Sequence, residues 1–327
     1  MNRRQFLHSA AFLGALPSAM PATGQRKSRL PAEARTSPTT REELIVARTG
    51  DDLVQTGLLV EPTGRPKQRI AVIWIPGTAQ NFYLQSYVQI ARETAKRGYA
   101  VITANTRLHD IGCFLAYRED GDVRGGAYWG LYAKEKLDIA AWIECAVSRG
   151  YQKVVLVGHS AGGPAVRRYQ AELQDPRVAG MVMASVSVVP APRSPDPATL
   201  KAASEMVAKG RGQDFLPGIR LSYQTYLDLM QTPAEIHDFY GVVTPNPAIS
   251  RVRCPLLAWF GSKESDVGTA ADLDRLRTLI ARQPTGPVSV DTAIVQDADH
   301  LYGGQEAQIA GILANWIDKL SSAGGVR

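Results

Sequence analysis

Cysteine is scarce in this chain, three residues in 327, and none sits in a C-x-x-C pair or beside a histidine at metal-ligand spacing. A disulfide-built scaffold and a zinc module are therefore excluded. Cys145 follows Ala141 and Leu137 by four and eight residues, on the apolar face of an expected helix, so its role is core filling. Cys113 and Cys254 are left: an oxidising compartment permits a bridge between them, and the sequence does not say whether they meet. Histidine is scarce too, at five. No segment repeats, and the apolar run near the start, Ala10 to Leu16, is too short to span a bilayer. Net charge is also missing from most of the chain. Residues 1–41 hold seven basic side chains (Arg3, Arg4, Arg26, Lys27, Arg29, Arg35, Arg41) against Glu33 alone, which accounts for the whole formal charge of +6. The remainder is electroneutral, so the high pI does not point to nucleic acid as a partner.

That basic head has a pattern of its own. Asn2-Arg3-Arg4-Gln5-Phe6-Leu7 is a twin-arginine motif, followed by the short apolar run and by small residues around Pro17-Ser18-Ala19 and Met20-Pro21-Ala22. Residues 1–22 are expected to be a bacterial export signal, which implies a membrane translocase as partner and a periplasmic or secreted location. Residues 23–41, rich in Pro, Ser, Thr and Arg, cannot offset their own ordering entropy and read as a disordered linker. The folded domain is expected over 42–327, and nothing in the sequence sets its oligomeric state.

Within that domain one stretch carries a reactive group. Lys153-Val154-Val155-Leu156-Val157 reads as a strand buried on both faces, Gly158-His159-Ser160-Ala161-Gly162 follows, and a helical pattern runs from Pro164 to Leu173. A G-x-S-x-G turn between strand and helix must be tight and strained, so the residues two before and two after the serine must lack bulk. Gly158 and Gly162 meet that need, and Ser160 becomes a candidate nucleophile.

Strands and helices alternate around this turn. Strands are expected at 44–48, 53–60, 70–75, 99–103, 153–157, 178–189, 255–260 and 288–295. Helices are expected at 82–96 (Leu84, Val88, Ala91 and Ala95 inward), 129–149, 164–173, about 270–281 and at the end, where Ile309, Ile312, Leu313, Trp316, Ile317 and Leu320 share a face. The pattern predicts an α/β fold: a mostly parallel eight-stranded sheet flanked by helices. Residues 190–252 break the alternation with prolines and short helices, a length more typical of a lid than of a loop, inserted after the sixth strand.

A serine hydroxyl needs a base to take its proton and a third group to orient that base. His8 lies in the leader, His159 beside the nucleophile, and His109 and His237 in the long loop and the lid, leaving His300 after the last strand. Glu264 and Asp266, following Pro255 to Phe260, are the carboxylates on offer. Pro76-Gly77-Thr78, after the third strand, is placed to bring a backbone N–H near the substrate, with Ala161 supplying a second. No metal or organic cofactor is required.

In this order of parts the chain, from about Glu43 to Leu320, resembles the α/β-hydrolase superfamily. Asn81-Phe82-Tyr83, His109-Asp110-Ile111-Gly112, Leu137-Asp138-Ile139-Ala140-Ala141-Trp142 and Gly210-Arg211-Gly212 look like the esterase-like group that includes fungal siderophore esterases. The resemblance implies an exported serine hydrolase acting on a small-molecule acyl ester: Ser160 as nucleophile, His300 as base, Glu264 as acid with Asp266 the alternative, and Thr78 with Ala161 as the oxyanion hole. Tyr83, Trp129 and Tyr226 are expected substrate contacts. The same residues would serve lactone or amide hydrolysis or acyl transfer, and a silent ligand-binding scaffold is the distant alternative.

Overall fold

The structure, a computed structural model, describes residues 39–64, 68–117, 123–264 and 266–323. The expected export signal and all but the end of the linker lie outside that range. The chain opens on β1 (Thr40–Arg48) and β2 (Leu53–Pro62), paired antiparallel around a turn in which Asp52 takes φ 63° and the Thr49 hydroxyl accepts the Leu53 N–H at 2.9 Å. Then follow β3 (Ile70–Ile75), α1 (Gln85–Lys96), β4 (Ala100–Ala104), a hairpin of β5 (Cys113–Tyr117) and β6 (Val123–Gly125), α2 (Glu135–Ser148), β7 (Lys153–His159), α3 (Gly162–Leu173) and β8 (Val178–Ala184). After an insertion holding α4 (Pro197–Ala208), α5 (Tyr223–Met230) and α6 (Ala234–His237), the sheet resumes with β9 (Leu256–Gly261), α7 (Ala270–Ala281), β10 (Val290–Val295) and α8 (Glu306–Ala323).

All eight expected strands are present, and the β5–β6 hairpin extends the sheet to ten. The order is β10-β9-β8-β7-β3-β4-β2-β5-β6 with β1 on β2, and β3, β4 and β7 to β10 run parallel. β8 stops at Ala184, five residues short of the expected end. There Ser185 turns into the left-handed region (φ 52°) and gives its N–H to the Trp259 carbonyl.

Strand periodicity sorts the core into two layers. Ile73, Ile75, Leu156, Met181 and Phe260 pack under α2, α3 and α7, whereas Val72, Trp74, Val157, Val182 and Trp259 pack under α1 and α8. With both faces covered, every residue of β3, β4 and β9 is buried. In α8 the expected stripe meets the sheet, Ile309, Leu313, Trp316 and Ile317 all being buried. In α1 the buried face is rotated from expectation: Tyr87, Ile90, Ala91, Thr94 and Ala95 point inward and Leu84 and Val88 are only partly covered. The tyrosine hydroxyl finds polar partners beneath the sheet's carboxyl edge, which an apolar count does not anticipate. Among the described residues no helix is long and apolar enough to cross a membrane. Cys113, Cys145 and Cys254 are all free thiols. Cys145 packs on the core, its Sγ 3.9 Å from the Val46 carbonyl.

One buried ion pair ties the loop after β4 to α2. The Asp138 carboxylate, fully enclosed, accepts from the Arg107 backbone N–H, from its Nε and from its Nη2, each at 3.0 Å, and Arg107 reaches Asp51 at 3.0 Å through both terminal nitrogens. Removing one partner strands a buried charge. Asp138→Ala should therefore destabilise the protein by about 3–5 kcal/mol, read from urea unfolding midpoints, whereas R107M/D138L should be less damaging than D138A alone.

Candidate active site

Ser160 sits at the carboxyl end of β7 with φ 50°, in the left-handed region. For a residue with a side chain that costs on the order of 1–3 kcal/mol and survives only where neighbours enforce it. The neighbours here do. A Cβ on Gly158 would come within 2.6 Å of the Gly162 carbonyl oxygen, and one on Gly162 within 2.5 Å of the Ile75 oxygen. Gly77 is equally close from the other side, with a Cβ placed there meeting the Ser160 Cβ at 3.0 Å. The serine is thus lifted clear of the sheet and remains partly solvent-accessible.

His300 lies in the loop between β10 and α8. Its Nδ1 is 3.0 Å from Glu264 Oε2. Glu264 follows β9, buried, and its other oxygen accepts the Gly261 N–H at 2.7 Å and the Ser185 hydroxyl. Ser185 in turn accepts from Tyr302 at 2.6 Å, and Trp259 Nε1 donates to Tyr302 at 3.1 Å. A glycine is needed at 261 because a Cβ would meet the Ala298 oxygen at 2.4 Å. Asp266, the alternative acid, is solvent-exposed.

Beneath these groups lies His159, fully buried. Its Nε2 is 2.8 Å from the His300 carbonyl, an acceptor only, so Nε2 carries the proton. Burial, reinforced by His300, lowers its pKa to about 3, so the ring is neutral and Nδ1 is a bare acceptor. That site lies 2.6 Å from the Tyr87 hydroxyl, which also contacts Gln80 Oε1 and accepts the Gly77 N–H at 3.2 Å. The rings of His159 and His300 are 4.8 Å apart. Neither His109, 2.8 Å from Asp110, nor His237, on the Ala191 carbonyl, enters this group.

Thr78 and Ala161 face one recess, together with Pro76, Gly77, Thr106, Leu108, Ala127, Tyr132 and Glu135. A larger hollow of about 370 Å³, lined by Arg41, Glu61 and Tyr151 among others, lies at the amino ends of β3 and β4, away from Ser160. Of the expected substrate contacts, Tyr83 is 60% exposed. Trp129 packs on Phe215 (4.6 Å) and donates to the Gln213 carbonyl at 2.9 Å, pinning the insertion to the body. Tyr226 is 2% exposed and belongs to the insertion's own core with Ala203 and Leu216, so its ring serves packing. Sequence reasoning did not identify Tyr87, Ser185, Tyr302 or Glu135. Ser185 was discoverable from its place one residue past the strand beside β7; the others carry no motif.

A family model for the alpha/beta hydrolase fold matches residues 70–239. The chain belongs to the α/β-hydrolase superfamily. Among solved structures this hydrolase is similar to Est1E from Butyrivibrio proteoclasticus (TM-score 0.55, 13% identity, 85% of this chain and 99% of that one). It is also similar to the esterase domain of a Rhodothermus marinus protein (0.51, 17%, 85% and 99%) and to a hypothetical protein of Pseudomonas aeruginosa (0.58, 14%, 93% and 99%). Its sequence matches no curated protein. At identities of 13–17% these likenesses show a shared fold.

The neutral His159 makes stability depend on pH. An unfolded histidine titrates near 6.5 and this one near 3, so between those values only the unfolded chain binds the extra proton. The contribution is complete above about pH 6.5 and is lost as pH falls towards 3, at about 1.4 kcal/mol per unit. Urea midpoints of wild type and His159→Gln at pH 7, 5.5 and 4.5 should converge on acidification; parallel slopes would remove His159 from the account.

Proposed function

We propose that this hydrolase cleaves a carboxylic ester through an acyl-serine intermediate, and that it works outside the cytoplasm. The observation that carries the reading is the contact of His300 Nδ1 with Glu264 at 3.0 Å, in a loop hydrogen-bonded to the residue preceding a strained Ser160. The Ser160 oxygen attacks the acyl carbon and its proton passes to His300 Nε2, while Glu264 fixes the tautomer and stabilises the imidazolium. Gly77's N–H is engaged by Tyr87, so the donors for the developing oxyanion are the N–H groups of Thr78 and Ala161. Collapse of the tetrahedral intermediate breaks the bond to the alcohol, which leaves with the proton from His300. Water, activated by the same imidazole, then releases the acid and restores the serine. The insertion over residues 190–252 acts as the lid.

The esterases among the structural neighbours support the bond type, and the twin-arginine motif supports export to the periplasm or beyond. Wild type should react with a fluorophosphonate probe and hydrolyse short p-nitrophenyl esters faster than matched amides or lactones. Ser160→Ala should do neither while keeping its circular dichroism spectrum. An unlabelled wild type would end the serine reading, and faster amide or lactone turnover would reassign the bond. Glu264→Gln should lower kcat by about a hundredfold or more, the range of a lost acid–base partner, and Asp266→Asn by far less; equal losses would leave the acid unassigned. R3K/R4K should hold the full-length precursor inside the cell, as read by fractionation. Unchanged export of that variant would refute the twin-arginine route.

A further inference from the structure

Sheet order divides the site into two sides. His300 and Glu264 follow β10 and β9, on one flank of β7, so a leaving group that takes its proton from His300 lies there. The recess lies on the opposite flank, where Gly77 and Thr78 follow β3, Thr106 follows β4, and Tyr132 and Glu135 lead into α2. It therefore faces the acyl half of a bound ester. Its volume is about 10 Å³, room for about one water-sized group.

The wall of this recess is not apolar throughout. Glu135 is 3% exposed, and its carboxyl accepts the Thr106 hydroxyl at 3.0 Å. Burial pushes the carboxyl up to about 8, and the charge of Asp138 adds to the shift, against the opposing pull of Thr106 and Arg107. At neutral pH the group is therefore a carboxylic acid, able to donate one hydrogen bond and accept another. Nothing in the ester chemistry proposed above uses it.

We propose that the recess selects esters of short 2-hydroxy acids, with the Glu135 carboxyl hydrogen-bonding the hydroxyl next to the scissile carbonyl. This rests on the serine-hydrolase reading, since it takes the positions of acyl and leaving groups from it. The hydroxyl of a glycolyl or lactyl group is the one water-sized group that the recess admits. A propionyl group fills the same space but leaves the carboxyl without a partner, which is the kind of mismatch that polar sites discriminate against.

The test is a competition between glycolyl and propionyl esters of one naphthol in a single tube, which gives a ratio of kcat/KM values independent of how much enzyme is folded. Wild type should favour the glycolyl ester. Glu135→Leu should lower that ratio by about tenfold, the scale of one uncharged hydrogen bond, and Glu135→Gln, which keeps a donor and an acceptor, by less than about threefold. Glu135→Ala reads out the same loss should leucine prevent folding. A wild type that is labelled by fluorophosphonate but shows no glycolyl preference, or whose preference survives in the Leu and Ala variants, overturns this assignment alone. Absence of both labelling and turnover in wild type overturns it together with the serine mechanism.

Discussion

A single neutral imidazole holds the rim of this molecule together. His159 donates through Nε2 to the backbone of His300 and accepts at Nδ1 from Tyr87, and each bond dictates the other: a ring with one proton cannot donate on both sides. Tyr87, between His159 and the Gln80 amide oxygen, also accepts the Gly77 N–H. Three loops, after β3, β7 and β10, are thus locked in mutual register by one proton arrangement. Protonation of His159 would turn Nδ1 into a donor facing a donor and would place a charge where no water reaches. The same burial that makes the group rigid makes it intolerant of charge.

Two carboxyls at the site meet opposite surroundings. Glu264 accepts from a backbone N–H and a hydroxyl on one oxygen and from His300 on the other, an environment in which each polar neighbour suits an acceptor. Glu135 has one hydroxyl for company and a second carboxylate, Asp138, one helical turn away. Position relative to the sheet explains the contrast. Glu264 stands at the mouth of β9, where the Gly261 N–H is turned towards it; Glu135 is the first residue of α2, its carboxyl bonded among the described residues to the Thr106 hydroxyl and to no backbone N–H, and the cation that acts on it, Arg107, is taken by two aspartates. Such divergence between acids of one site is how a fold assigns them different roles.

The fold was legible because both of its periods are strong. β3 and β7 read as continuous apolar runs and are central, and α8 shows its stripe at 3.6-residue spacing and packs on it. Ser160, Glu264 and His300 stand out in the sequence because a glycine-flanked serine and two strand-end residues are marked locally, and the fold brings the last two into contact. What escaped is of a different kind. The β5–β6 hairpin was hidden in a charged, glycine-containing segment, and the inward turn of Tyr87 in a helix whose apolar count favoured Leu84 and Val88. Tyr226 read as a pocket aromatic because composition cannot distinguish a ring that lines a cavity from one that fills the insertion's core. Cys113 and Cys254 kept both options in the sequence and are separate thiols in the fold.

Strain and support also have to be reconciled at Ser160. Its left-handed backbone is unfavourable by itself, yet the three contacts that enforce it involve glycines whose only virtue is the absence of a Cβ. The turn is held by close backbone approach rather than by hydrogen bonds from the serine side chain, so the hydroxyl is not consumed in maintaining its own geometry. The polar groups that do hold the rim, His159 and Tyr87, lie beneath it and face inward. Support and reactivity are thereby assigned to adjacent residues of one strand: position 159 points into the sheet and is fully bonded, and position 160 points out and remains available. The left-handed turn at Ser160, where the extended backbone of β7 ends, separates the two positions.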